Sequence, residues 1–265
     1  MKDITGIFRK KYNNHEKISI VTCYDYSFAR IVNESNVDAI LVGDSLGMVI
    51  QGHSTTLPVT IDEIIYHTKA VKRGAPNKPV IADMTFMSYQ AGWENALINA
   101  GRILKETDAE AIKLEGARDR ELELIERLVE IGIPVMGHLG LTPQSVHTLG
   151  GYKVQGKTET EQNQMILDAK GLEKAKCFSL VLEMIPQSLG KKISESISIP
   201  TIGIGAGKNT GGQVLVLQDL LGFDSQFSPK FAKKYSDLES IVSNALNQYS
   251  EEVKKNQFPA EENEF

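Results

Sequence analysis

The sequence is poor in cysteine, with two, Cys23 and Cys177, among 265 residues. Two thiols cannot build a disulfide framework, and a reducing compartment is the simplest home for the chain. Long apolar runs are missing as well, and nothing approaches the roughly 20 residues that a membrane-spanning helix needs. Met1–Lys17 is polar and has no apolar signal core, so a cytoplasmic location and no membrane partner are expected. No stretch is dense in Lys and Arg, and 29 Lys+Arg against 34 Asp+Glu leave a net charge of -5. That balance argues against a nucleic-acid binder, which must neutralise phosphates. Internal repeats, low-complexity segments and a composition break marking a linker are absent too. What is present, 41% hydrophobic and 24% charged residues, is the balance of a folded chain with a substantial core.

Short apolar runs recur at Ile18–Thr22, Ala39–Val42, Pro79–Ala82, Ala111–Leu114, Ile133–Gly137, Ser179–Leu182, Pro200–Ile204 and Val214–Leu217. They are strand-length, rich in β-branched residues or Leu, and alternate little, as strands covered on both faces do. Between most of them lies a helical segment. In Thr60-Ile-Asp-Glu63, Thr60 is placed to cap a helix and Glu63 to bond back to the cap, with Val59 and Ile64 as the apolar staple. That helix is expected to run past Val71 and stop at Gly74 and Pro76. Glu121–Ile131, Gln162–Ala175 and Leu238–Tyr249 read as further helices. The polar stretch Ser250–Phe265, with five glutamates, is expected to lie on the surface or fray. Strands alternating with helices in one domain fit a (β/α)8 TIM barrel, with a doubly wound sheet as the competing architecture.

Either architecture puts chemistry at the carboxyl ends of the strands. Asp44, Asp83 and Glu115 stand there on three successive strands. Each alone reads better as a helix cap or a solvated acid, but together they would repel unless a cation joined them, and an all-oxygen set suits Mg2+ better than Zn2+. Lys113, two residues from Glu115, shares its side of the strand and suits an anionic substrate. Glu183 reads either as a general base or as the cap of a following helix. His138 is placed to orient a substrate, or is a structural hydrogen-bonder. His53, His67 and His147 lack metal-ligand spacing.

Two motifs mislead. Gly43-Asp-Ser45-Leu-Gly47 matches a serine nucleophile elbow, but the elbow needs a helix straight after the serine, and Gln51–Pro58 reads as irregular loop. The glycine-rich Gly203-Ile-Gly-Ala-Gly-Lys208 matches neither phosphate-loop pattern, and reads as a close approach to a ligand or as tight turning.

Longer strings carry a resemblance. Tyr24-Asp-Tyr-Ser-Phe-Ala29, Leu41-Val-Gly-Asp-Ser-Leu-Gly-Met48, Arg73-Gly-Ala-Pro-Asn77, Gly137-His-Leu-Gly-Leu-Thr-Pro-Gln-Ser145, Gly150-Gly-Tyr-Lys-Val-Gln-Gly156 and Ile202-Gly-Ile-Gly-Ala-Gly207 closely resemble the ketopantoate hydroxymethyltransferase family. The resemblance implies a Mg2+-dependent barrel enzyme of pantothenate synthesis. It would move a one-carbon unit from 5,10-methylenetetrahydrofolate to 3-methyl-2-oxobutanoate. It also implies that Asp44, Asp83 and Glu115 bind the metal, that Asp44, Ser45, Asp83 and Lys113 contact the oxo acid, and that Glu183 accepts the proton. Homo-oligomers, typically decamers, are implied as well. A Mg2+-dependent lyase on another 2-oxo acid, a serine hydrolase using Ser45, and a non-catalytic oxo-acid binder are the competing readings.

Overall fold

The structure is a computed structural model that describes residues 2–224 and 229–265. It falls into two compact units, Met1–Val216 and Leu217–Phe265. The first unit holds all the strands: β1 Ile18–Thr22, β2 Ala39–Val42, β3 Val80–Asp83, β4 Ala111–Lys113, β5 Val135–Gly140, β6 Ser179–Glu183, β7 Thr201–Ile204 and β8 Gly212–Leu215. Each pairs in parallel with the next, and β8 pairs with β1, so the sheet closes into a barrel. That settles the choice against an open sheet.

The helices of this unit are α1 Ile4–Asn13, α2 Tyr26–Glu34, α3 Leu46–Val49, α4 Ile61–Gly74, α5 Trp93–Thr107, α6 Asp119–Glu130, α7 Glu159–Lys174 and α8 Gln187–Ser196. Helix α4 begins as its sequence requires: Thr60 Oγ1 accepts from Glu63 N, and Glu63 Oε2 accepts from Thr60 N. It ends at Gly74, as expected, and the glycine is needed for contact as well, since a Cβ there would lie 2.5 Å from the Tyr26 carbonyl and 2.7 Å from Ala29 Cβ.

The barrel interior packs Ile20, Leu41, Ile81, Ala111, Met136, Val181, Ile202 and Val214 into one cluster with Ile4 and Phe8 of α1. Helix α1 therefore closes the amino-terminal end of the barrel, with the Phe8 ring edge-on to Phe178 at 5.4 Å. A second, larger cluster joins the outward strand residues to the helices, as Ala82, Ile112 and Leu180 do. Strand residues thus alternate between two cores, which is why their sequence runs read as continuously apolar.

The second unit carries α9 Leu217–Leu221 and α10 Leu238–Lys254. The polar stretch from 250 does not fray at its start: α10 continues through it to Lys254, supported by Gln248–Glu252 and by Glu251–Lys255 beyond its end. Among the described residues no helix is long and apolar enough to cross a membrane.

Candidate active site

Side chains along a strand alternate between its faces. Ile81, Ala111, Met136 and Val181 point into the barrel, so the residues two further on, Asp83, Lys113, His138 and Glu183, turn inward one layer nearer the carboxyl ends. Asp44 and Glu115 stand two residues beyond β2 and β4. All but Glu183 are buried, and the Glu183 side chain keeps 17% of its surface at the rim. The strand-end residues singled out in the sequence thus share one mouth of the barrel.

Their contacts form one network. Asp83 Oδ2 accepts from Asp44 N at 2.9 Å, and Asp83 Oδ1 faces Lys113 Nζ at 3.1 Å. His138 Nδ1 lies 3.3 Å from Lys113 Nζ and 3.6 Å from Glu115 Oε1, while its Nε2 lies 3.2 Å from Glu183 Oε2. Because an ammonium can only donate, a neutral ring must accept at Nδ1 and carry its hydrogen on Nε2; a charged ring carries it there as well. Either way Nε2 carries a hydrogen close to Glu183 Oε2, although the two are not aligned as a hydrogen bond. Ser45 Oγ bonds to Tyr24 OH at 2.7 Å rather than to a histidine. The short helix α3 does follow Ser45, ahead of the irregular stretch expected from Gln51 to Pro58, but among the described contacts Ser45 Oγ is held by Tyr24 and by no histidine, so it does not form a nucleophile elbow.

Burial and crowding shape the protonation. Burial, then Asp83 and Glu115, push the Asp44 carboxyl well above the usual range, and burial raises Asp83 despite the Lys113 ammonium. Burial opposes the charge on Lys113, yet Asp83, Glu115 and Asp44 outweigh it and hold the lysine above its ordinary value. For His138, burial and Lys113 oppose protonation, while Glu115 and Glu183 favour it, leaving the ring raised to about 9.

Sequence reasoning missed two residues here, Gln144 and Tyr89. Gln144 lies in the 3-10 turn Pro143–Ser145 after β5. Its Nε2 donates to Asp44 Oδ2 and its backbone N to Glu115 Oε2. Tyr89 OH donates to Gln144 Oε1 and accepts from Glu115 N. Neither residue carries a charge that would mark it in the sequence. Over the mouth, Tyr152 OH reaches Met48 Sδ at 3.5 Å. The glycine-rich loop after β7 packs tightly against α8: a Cβ at Gly207 would meet Gln187 Cβ at 2.4 Å, and one at Gly190 would meet the Ala206 carbonyl at 2.4 Å.

Among the described residues, no group of His, Cys, Asp and Glu side chains closes into a formed metal shell. Asp83 is instead engaged by Lys113, and Asp44 and Glu115 by Gln144. The donor set nevertheless fits a hard divalent cation. It is all oxygen, it sets three carboxylates against one lysine, and Glu115 Oε1 is buried without a hydrogen-bond donor. The described cavity at the other end of the barrel, about 590 Å3 lined by Arg9, Tyr12, Lys176 and neighbours, contains none of these groups.

Fold and site together define a (β/α)8-barrel enzyme that gathers acidic residues around a buried lysine at the carboxyl ends of its strands. Solved structures of the same fold include 2,3-dimethylmalate lyase, a PEP mutase/isocitrate lyase superfamily member (15% identity, 98% of this chain and 90% of that one, TM-score 0.63). Another is a putative phosphonomutase from Burkholderia cenocepacia J2315 (12% identity, 84% and 96%, TM-score 0.67). The chain belongs to the ketopantoate hydroxymethyltransferase family, whose model matches residues 4–261. Relatives named 3-methyl-2-oxobutanoate hydroxymethyltransferase are 59% identical in Leptospira biflexa serovar Patoc, over 100% of this chain and 99% of that protein. The relative of that name from Geobacter metallireducens is 51% identical, over 94% and 93%.

Proposed function

We propose that this chain is a cytoplasmic enzyme that transfers a hydroxymethyl group from 5,10-methylenetetrahydrofolate to 3-methyl-2-oxobutanoate, giving 2-dehydropantoate for pantothenate and coenzyme A synthesis. The acceptor and the transferred group are those in its relatives' names. The observation that carries the reading is the meeting of Asp44, Asp83, Glu115, Glu183, Lys113 and His138 at one mouth of the barrel.

Asp44, Asp83 and Glu115 would hold Mg2+, which when bound supplies a Lewis acid for the carboxylate and ketone oxygens of the oxo acid. Lys113 places positive charge where the enolate oxygen develops. Glu183, at the rim, takes the proton from C3 of the substrate. His138 Nε2 lies 3.2 Å from one Glu183 oxygen, near enough to orient the carboxylate for that proton. Ser45, fixed by Tyr24, offers a hydroxyl to the substrate carboxylate beside Asp44. The enolate carbon then bonds to the methylene carbon of the folate as one of its two carbon–nitrogen bonds breaks and that nitrogen takes up a proton, and water then displaces the second nitrogen to leave the hydroxymethyl group and release tetrahydrofolate.

Self-association, as a homodecamer, belongs to the same reading. It is supported by α10, where Val242, Leu246, Tyr249 and Val253 are 39%, 63%, 56% and 42% exposed at helical spacing. Sedimentation mass tests it.

The deciding experiment is deuterium exchange at C3 of 3-methyl-2-oxobutanoate, followed by NMR with Mg2+, with EDTA, and with or without tetrahydrofolate. Mg2+-dependent exchange that Glu183→Gln slows about 10²- to 10⁴-fold is expected. Folded, Mg2+-supplied enzyme that gives no exchange even with folate present would overturn the reading.

A further inference from the structure

Gln144 uses every hydrogen-bonding position it has. Nε2 donates to Asp44 Oδ2 at 2.9 Å and to the Met84 carbonyl at 2.8 Å. Oε1 accepts from Tyr89 OH at 2.9 Å and from Gln90 Nε2 at 3.3 Å. This fixes which way the amide faces. Turned over, Oε1 would oppose both the Asp44 carboxylate and the Met84 carbonyl, neither of which can donate to it. The backbone N–H of the same residue meets Glu115 Oε2 at 3.1 Å. One buried residue after β5 thus grips the acids that follow β2 and β4, and it does so with neutral donors.

The grip is selective by atom. It occupies Oε2 of Glu115 and leaves Oε1, which is buried and has no hydrogen-bond donor. It occupies Oδ2 of Asp44 and leaves Oδ1. Tyr89 completes the frame: its hydroxyl accepts from Glu115 N at 3.3 Å while donating to Gln144. A residue that only filled space here would need neither the donor nor the acceptor end of an amide. One that only satisfied the Met84 carbonyl would have no reason to touch two carboxylates.

We infer that Gln144 is a positioning residue that presents one oxygen each of Asp44 and Glu115 to a divalent cation, with Tyr89 holding the amide in its orientation. The inference rests on the reading of Asp44, Asp83 and Glu115 as cation ligands. It extends that reading to a neutral side chain whose task is to choose oxygens.

The test is binding of Mn2+ alone, measured by water-proton relaxation and electron paramagnetic resonance, to the wild-type chain, Gln144→Met and Tyr89→Phe. Gln144→Met keeps the length of the side chain but can neither donate from nitrogen nor accept at a carbonyl. Near-UV circular dichroism of each protein checks that the fold is kept. The expected result is Mn2+ affinity about 10- to 100-fold weaker for Gln144→Met, with a smaller loss in Tyr89→Phe, and hydroxymethyl transfer by both recovering as Mn2+ is raised. A purely structural role would not give recovery with metal. Gln144→Met binding Mn2+ within twofold of wild type would overturn the inference and leave the cation reading intact. Should Gln144→Met not fold, undiminished affinity in Tyr89→Phe overturns it equally. A folded wild-type chain that binds no Mn2+ would overturn the cation reading and this inference with it.

Discussion

Gly140, at the end of β5, lies so close to Glu183, at the end of β6, that a Cβ built on the glycine would stand 2.1 Å from the Glu183 carbonyl oxygen. The φ of Gly140 is +93°, a left-handed conformation that side chains resist. The two residues are paired across the strands, and the next amide, Leu141 N, donates to that same carbonyl. Glu183 is followed by Met184 at φ 49°, itself uncommon for a non-glycine residue. The rim carboxylate is therefore set by a tight backbone joint.

Gly140→Ala should push the end of β6 away and move Glu183. Strain at positive φ and overpacking each cost about 1–3 kcal/mol, so urea denaturation should show a loss of about 2–6 kcal/mol. C3 exchange should fall with it. An alanine variant with unchanged stability and exchange would show that the joint does not set the acid.

Metal removal should be visible in stability. A cation bound only by the folded chain, at a hundred times its dissociation constant, adds about 2.7 kcal/mol. Mg2+ should accordingly raise the urea midpoint and EDTA reverse it, with Asp83→Asn blunting the rise. Equal midpoints with and without Mg2+ would count against the cation site.

A pH prediction comes from the amino-terminal end of the barrel. Burial raises the Asp38 carboxyl, but Lys11 at 2.9 Å and two bonds from Ser19 more than offset it, so Asp38 sits below its ordinary value. A depressed carboxylate contributes stability that is full above its unfolded pKa, about 3.9, and is lost as pH falls through the folded value. Lys11, held up first by Asp38, contributes below its unfolded value, about 10.4, and loses that contribution as pH rises through the folded one. Asp38→Asn should cost about 1–2 kcal/mol at pH 7 and flatten both limbs. Unfolding curves from pH 3 to 11 that keep the same slopes would contradict this.

Thr60→Ala removes one half of the α4 capping box and should cost about 1 kcal/mol. Activity at 25 °C should not change, because Thr60 touches no residue of the mouth. A larger fall in activity than in stability, read from paired assays and melts, would mean that α4 does more than frame the barrel.

Much of this was readable in the sequence because local chemistry decided it. β-branched runs gave the strands, Thr60 and Glu63 gave a helix start, and acids just after strands gave the site layer. Errors arose where distant backbone decided. β8 begins at Gly212, earlier than its apolar run suggests, because a Cβ there would stand 2.2 Å from the Ile18 carbonyl. Its glycine is needed for strand contact, although in sequence it looks like a loop. β5 likewise runs on to Gly140, beyond the Ile133–Gly137 run that marks it in the sequence. Gln144 escaped notice because an amide has no signal of its own until folding brings Asp44 and Glu115 to it.

Ile4 and Phe8 of α1 pack against the inward strand residues and cover the amino-terminal end of the barrel, so the strand-end acids lie at the opposite mouth. On the proposed function, an oxo acid seated deepest, beside Lys113 and Asp83, is expected to enter before the bulkier folate and to leave after it, an order that product-inhibition kinetics would show.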